Sequence, residues 1–242
     1  MKSIFFFSDV HLGMQDKARE KEKEQRLLSF LDHVSKHAEQ LFILGDLFDY
    51  WFEYKHVIPR GYHNVLAKLS SITEQGIPTH YLAGNHDFWL RDFFPNELGI
   101  HIYKEPFAIT LKNKKFFLHH GDGLALNDTG YKILKKIFRS SISIKLYSLI
   151  HPDWTAPLAK GTSNKSREYT GNKDYGETDG MLMYAEEKIQ EGFDFVIMGH
   201  RHRPLEKKIS KGHYVNLGDW IDFNTYGEYN GKTFKLKTWK AK

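Results

Sequence analysis

The chain has 242 residues, of which 40% are hydrophobic and 27% are charged, and it contains no cysteine. This composition is ordinary for a globular domain, excludes a disulfide framework, and leaves nitrogen and oxygen side chains as the ligands of any metal ion. The net charge of +5 favours anionic partners such as phosphates, nucleic acid or an acidic membrane surface, without separating them.

Strands and helices alternate along the first half of the chain. Residues 4–8 form an apolar run that is typical of a buried strand and is too short for a signal peptide. Apolar residues at helical spacing predict an amphipathic helix after the charged stretch 16–26 and a second helix near residues 65–72. Short apolar runs predict further strands at residues 41–44, 79–83 and 115–119. This order indicates an α/β fold with a largely parallel sheet and helices on its faces.

The region from about residue 127 to residue 180 differs from the rest of the chain. Residues 131–150 are amphipathic and carry five cations but no acid, and a polar stretch follows them. We interpret the region as a helical cap inserted into one domain that spans residues 1–242. A helix over residues 181–191 and short strands up to Trp239 complete the predicted elements. Since no stretch reaches the ~20 apolar residues of a membrane-spanning helix, we expect a cytoplasmic protein.

Five polar motifs each follow a predicted strand. Because open α/β sheets bind ligands at the carboxyl ends of their strands, we expect the motifs to converge on one crevice. Carboxylates and imidazoles are good ligands for manganese, iron and zinc, and a pair of such ions can clamp both oxygens of a phosphoryl transfer. Each motif alone has an ordinary structural explanation, such as a helix cap, but five in order favour a metal centre. The motifs are Asp9-Val10-His11, Gly45-Asp46-Leu47-Phe48-Asp49, Gly84-Asn85-His86-Asp87, His119-His120-Gly121-Asp122 and Gly199-His200-Arg201-His202.

This series resembles the calcineurin-like metallophosphoesterase superfamily, whose pattern is D-x-H, G-D-x-x-D, G-N-H-[DE], a later His and G-H-x-H. The resemblance covers residues 5–202 and implies two packed mixed β-sheets flanked by helices. It also implies two divalent metal ions, manganese first with iron or zinc as alternatives, and a bridging Asp46. His86 would stabilise the phosphate or protonate the leaving group, and Asp87 would orient the His86 ring. One ion would be held by Asp9, His11, Asp46 and His202, and the other by Asp46, Asn85, His120 and His200.

The residues between the ligands are similar to those of the UDP-2,3-diacylglucosamine pyrophosphohydrolases of lipid A synthesis, for example in Asp46-Leu47-Phe48-Asp49-Tyr50-Trp51. That resemblance implies cleavage of UDP-2,3-diacylglucosamine to the lipid monophosphate and UMP, by a manganese-dependent protein that is peripheral on the inner membrane. Its cap would cover the acyl chains and contact anionic lipid, or would simply pack on the domain with its lysines in water. The implied substrate contacts are Asn85, His86, Asp128, Ser163, Asn164, Lys165, Arg167 and His200.

Two ordinary explanations and one departure stand beside this expectation. Residues 163–167 also suit a solvated loop, and Asp128 also suits a helix N-cap ahead of Tyr131. Many of the similar pyrophosphohydrolases carry Arg where this chain has His86, so another phosphodiester or nucleotide substrate is the alternative. A scaffold without activity would have lost ligands, yet all seven ligand positions are filled. We expect no nucleic-acid partner, because no interleaved basic and aromatic groove is evident.

Overall fold

The computed structural model describes residues 2–124, 129–155 and 179–240. The helices in these ranges are α1 (Lys17–His37), α2 (His63–Glu74), α3 (Phe93–Leu98), α4 (Thr129–Phe138), α5 (Ser141–Tyr147) and α6 (Gly180–Gln190). The strands are β1 (Ser3–Phe7), β2 (Ala38–Leu44), β3 (Thr79–Leu82), β4 (His101–Tyr103), β5 (Phe107–Leu111), β6 (Lys114–His119), β7 (Phe195–Met198), β8 (Leu205–Ile209), β9 (Gly212–Asn216), β10 (Thr225–Tyr229) and β11 (Phe234–Thr238).

The strands form two mixed sheets, which confirms the predicted fold class. The first sheet has the order β11-β10-β1-β2-β3-β4, in which β1 to β4 are parallel. The second has the order β5-β6-β7-β9-β8, with β6, β7 and β9 parallel. Strand order alone predicted one largely parallel sheet. The structure has two sheets instead, and β6 lies in the second. Strands β4 and β5, which are short and half-exposed, were not predicted.

The continuous apolar run of β1 is explained by burial on both of its faces. Phe6 packs toward the second sheet, with its ring 5.8 Å from that of Phe116. Phe7 points to the opposite face and meets Phe30 of α1 at 5.7 Å. On the outer face of the second sheet, Met181 and Ala185 of α6 pack against β7 and β9. The result is a four-layer sandwich of helices, two sheets and helix, with the parallel strand ends of both sheets along one edge.

The predicted amphipathic segment 131–150 contains two helices, α4 and α5. The chain breaks after α4, and the Ser140 side chain caps α5 by accepting a hydrogen bond of 3.2 Å from the Ser143 amide. Residues 127–128 and 156–178 of the predicted cap, which include most of the polar stretch, lie outside the described residues. Within the described ranges, none of the helices combines the length and the apolar character needed to cross a bilayer.

Candidate metal centre

The five motifs follow β1, β2, β3, β6 and β7, as predicted, and backbone hydrogen bonds join their loops into one edge. The Asp9 amide donates to the Gly45 carbonyl at 3.1 Å, and the Gly199 amide donates to the His120 carbonyl at 2.8 Å. The two central carboxylates are also held by amides of other motifs. Asp46 Oδ1 accepts from the His86 amide at 2.9 Å, and Asp9 Oδ2 accepts from the His200 amide at 2.9 Å.

Five of the predicted metal ligands have a left-handed backbone, which non-glycine residues rarely adopt. Such conformations cost on the order of 1–3 kcal/mol each and cluster at functional sites. Nothing in the sequence pattern predicted them. Because the turns bring side chains from separate loops into one place, the strain indicates a site whose geometry the fold enforces. The φ angles are 54° at Asp9, 48° at His11, 53° at Asp46, 68° at His200 and 57° at His202.

The first cluster joins Asp9, His11, Asp46 and His202. His11 Nε2 lies 3.9 Å from Asp9 Oδ1 and 3.5 Å from Asp46 Oδ2. His202 Nε2 lies 3.6 Å from Asp9 Oδ1. Asp9, His11 and His202 each place one ligand atom within 4.8 Å of the others, as a bound cation requires.

The second cluster joins Asp46, Asn85, His120 and His200. His120 Nε2 lies 3.3 Å from Asp46 Oδ2 and 3.0 Å from Asn85 Oδ1. Ligand atoms of Asp46, His120 and His200 again fall within 4.8 Å of one another. Because Asp46 belongs to both clusters, the geometry agrees with the bridging role that the resemblance implied.

The donor set fits divalent cations. His120 Nδ1 lies 2.8 Å from the Leu44 carbonyl, which can only accept, so the neutral ring carries its proton there and directs the Nε2 lone pair at Asp46. His11 is buried, with Nδ1 3.4 Å from Asp49 Oδ1 and Nε2 3.5 Å from Asp46 Oδ2. Burial lowers the pKa of His120, but the charges of Asp46 and Asp9 outweigh it and raise the pKa to about 10. Divalent cations bound here would take the place of that proton on His120 in neutralising the two carboxylates.

His86 lies beside both clusters, and the carboxylate that faces its ring is that of Asp49. His86 Nδ1 lies 3.0 Å from the Asp49 carbonyl and 3.6 Å from Asp49 Oδ1. The expected orienting role of Asp87 is corrected. The Asp87 carboxylate accepts from the Leu47 and Gly84 amides, each at 2.8 Å, and from the Tyr81 hydroxyl. The Asp87 side chain therefore points away from the cleft into the core. Its hydrogen bonds fix the loops that carry Asp46 and Asn85.

Two further groups support the site and were missed in the sequence. Asp219 Oδ2 lies 3.2 Å from His202 Nδ1, and Asp219 belongs to none of the five motifs. Asp219 follows β9, so the rule used for the five motifs could have found it. Lys23 of α1 is buried and donates to the His11 carbonyl at 2.7 Å. A lysine on the buried face of an otherwise amphipathic helix was the available signal. The predicted substrate contacts Asp128, Ser163, Asn164, Lys165 and Arg167 lie outside the described residues.

The comparisons with known proteins agree with this fold and site. Residues 2–204 match the calcineurin-like phosphoesterase family, and the chain belongs to that family. It is therefore a hydrolase of a metal-dependent class. Among its relatives, UDP-2,3-diacylglucosamine hydrolase of Porphyromonas gingivalis is 34% identical over 97% of both chains. The protein of that name from Yersinia pseudotuberculosis is 30% identical over 90% of this chain and 91% of its own.

Solved structures support the same fold. A Thermus thermophilus protein superposes with a TM-score of 0.51 at 11% identity and covers 99% of both chains. An archaeal phosphodiesterase superposes with a TM-score of 0.50 at 13% identity, covering 97% of this chain and 98% of its own.

Proposed function

We propose that the protein hydrolyses the pyrophosphate bond of UDP-2,3-diacylglucosamine to 2,3-diacylglucosamine 1-phosphate and UMP, as a step of lipid A biosynthesis. The observation that carries the proposal is an exposed apolar face on α4, on α5 and just after it, which we call the cap face. Ile142 is 72% exposed and Leu149 is 79% exposed. The cap face consists of Ile133, Leu134, Ile137, Ile142, Leu146 and Leu149.

The helices that carry the cap face are anchored to loops next to the candidate metal centre. The Trp89 indole, three residues after His86, donates to the Phe138 carbonyl at 3.2 Å, and the hydroxyls of Tyr50 and Tyr147 are 3.2 Å apart. An apolar surface next to a phosphoesterase centre suits a substrate that carries acyl chains. It also supports peripheral attachment to the inner membrane from the cytoplasmic side. The names of the two relatives support the same substrate.

The side chains at the centre have two roles: most would hold the cations, and His86 would act on the phosphate or the leaving group. Bound divalent cations, manganese with iron or zinc as alternatives, would supply an activated water and neutralise charge on the phosphoryl oxygens. The residues that would hold them are those of the two clusters. His86 donates through Nδ1 to the Asp49 carbonyl, so its Nε2 is the atom that stabilises the phosphate or passes a proton to the leaving group.

The test is manganese-supported turnover of UDP-2,3-diacylglucosamine with identification of the products. We expect UMP and the lipid monophosphate, with little hydrolysis of UDP-glucosamine that lacks acyl chains. Equal turnover with and without acyl chains would instead favour the alternative, a phosphoesterase for another phosphodiester or nucleotide, which His86 in place of Arg also favours. Ile142→Ser should raise KM for the acylated substrate, whereas Val57→Ser, at an exposed apolar residue outside the cap, serves as the control.

A further inference from the structure

Two cations of the cap face the metal centre rather than solvent. Lys135 Nζ lies 2.7 Å from Asp122 Oδ2 and also donates to the Asp122 carbonyl at 3.2 Å. Arg139, four residues on and therefore on the same side of the helix, brings its guanidinium to 3.4 Å from the same carboxylate oxygen. The side chains of Lys135 and Arg139 are only 24% and 20% exposed. Asp122 is therefore an ion-pair partner of both cations.

The partners of these cations lie on two ligand loops of the second cluster. Asp122 comes two residues after the ligand His120. Arg139 also reaches the loop that carries Asn85, where it lies 3.5 Å from the Gly84 carbonyl and 5.5 Å above the centre of the Phe88 ring. One turn of helix therefore ties together the two loops whose Asn85 and His120 side chains meet at 3.0 Å.

We propose that Asp122, Lys135 and Arg139 form a positioning clamp through which the cap helix sets the geometry of the second metal site. Asp122 is 3% exposed, and an anion at that depth requires partners. The clamp makes docking of α4 and occupancy of the second site mutually dependent, because linkage is reciprocal.

The clamp proposal depends on the metal centre and does not depend on the identity of the substrate. Its test is calorimetric titration of the metal-free full chain with Mn²⁺, together with electron paramagnetic resonance of the coupled ion pair. Lys135→Met should weaken binding of the second Mn²⁺ by roughly 10- to 100-fold and remove the coupled signal, while the first ion still binds. Asp122→Asn should do the same. Lys135→Arg, which keeps the charge, should restore affinity to within about threefold of the wild type.

Lys136→Met is the matched control, since Lys136 is the next residue of α4 and its side chain is exposed. It should leave Mn²⁺ affinity unchanged. Thermal unfolding without metal checks that every variant folds; if Asp122→Asn does not, Lys135→Met carries the test. Wild-type affinity for both ions in Lys135→Met, or equal losses in Lys136→Met, would overturn the clamp. A wild-type protein that binds a single Mn²⁺ would overturn both the clamp and the dinuclear centre.

Discussion

Asp219 Oδ2 lies 3.2 Å from His202 Nδ1, so a carboxylate outside the five motifs orients one of the predicted metal ligands. Asp219 is itself fixed, because its other oxygen accepts from three successive amides of the turn at residues 221–223. Carboxylates in this position set the tautomer of a ligating imidazole and raise its basicity. The arrangement extends the first cluster beyond its direct ligands.

Asp219→Asn should weaken binding of the first Mn²⁺ by about 10- to 100-fold, because the amide cannot hold the His202 ring as a carboxylate does. Calorimetric titration with Mn²⁺ measures the loss. Asp222→Asn is the control in the same turn. The role assigned to Asp219 fails if both variants bind Mn²⁺ like the wild type.

Substitution of Asp49 should lower turnover, whereas substitution of Asp87 should lower the free energy of unfolding. Asp49→Asn should lower turnover, because the same Asp49 oxygen lies 3.6 Å from His86 Nδ1 and 3.4 Å from Nδ1 of the predicted ligand His11. In a His86→Ala background the loss should be smaller, because the part that acts through the His86 ring is already gone. Asp87→Asn should lower the free energy of unfolding by about 2–4 kcal/mol, because it disturbs three buried hydrogen bonds and an amide hydrogen would face a donor. Urea unfolding and steady-state turnover of the single and double variants measure the two effects. Loss of turnover in Asp49→Asn that simply adds to that of His86→Ala would contradict the assignment.

Gly84→Ala should disrupt the centre through steric contact alone. A Cβ at this position would lie 2.1 Å from Asp46 Oδ1 and 2.6 Å from the Asp46 nitrogen, so the bridging ligand would have to move. We expect a loss of Mn²⁺ affinity and a destabilisation of about 1–3 kcal/mol. Gly130→Ala is the control: its Cβ would meet no atom within 4 Å, and alanine favours a helix. Retained Mn²⁺ affinity in Gly84→Ala would show that the loops are looser than the structure implies.

Because of His80, we expect the folded protein to lose stability in mild acid. Burial and the neighbouring His101 lower the pKa of His80 from 6.5 to about 4. The unfolded chain therefore binds a proton that the folded protein does not, and the free energy of unfolding falls as the pH drops from about 6.5 toward 4. Each pH unit in that window costs up to about 1.4 kcal/mol. His80→Phe keeps the stacking on Phe42 and should flatten this slope in denaturant unfolding measured at several pH values. An unchanged slope would exclude His80 as its source.

The fold class, and the convergence of the seven proposed ligands at one edge, could be predicted from the sequence because each of these residues follows within four positions of a strand. Residues such as Asp46 and His120 are fixed by a short local pattern, an apolar run followed by a polar residue. The topology of the sheets makes these local patterns converge. The family resemblance supplied the pairing of ligands into two clusters.

The features of the site that could not be predicted from the sequence depend on contacts between distant segments. Asp87 was expected to orient His86 and Asp49 was given no role, because both follow a strand and only the direction of each side chain separates them. Lys135 and Arg139 were expected to face anionic lipid or water, because amphipathic spacing does not reveal a buried acid such as Asp122 on another loop. The left-handed backbone of the ligands arises from loop packing, which no composition signal reports.

The most direct test of the account is anomalous diffraction from a crystal of the protein grown with Mn²⁺. We predict two manganese peaks per chain, one among Asp9, His11, Asp46 and His202 and the other among Asp46, Asn85, His120 and His200. In Asp46→Ala crystals both peaks should disappear while the fold remains. Manganese absent from between these side chains in the wild type, or bound only elsewhere, would contradict the account.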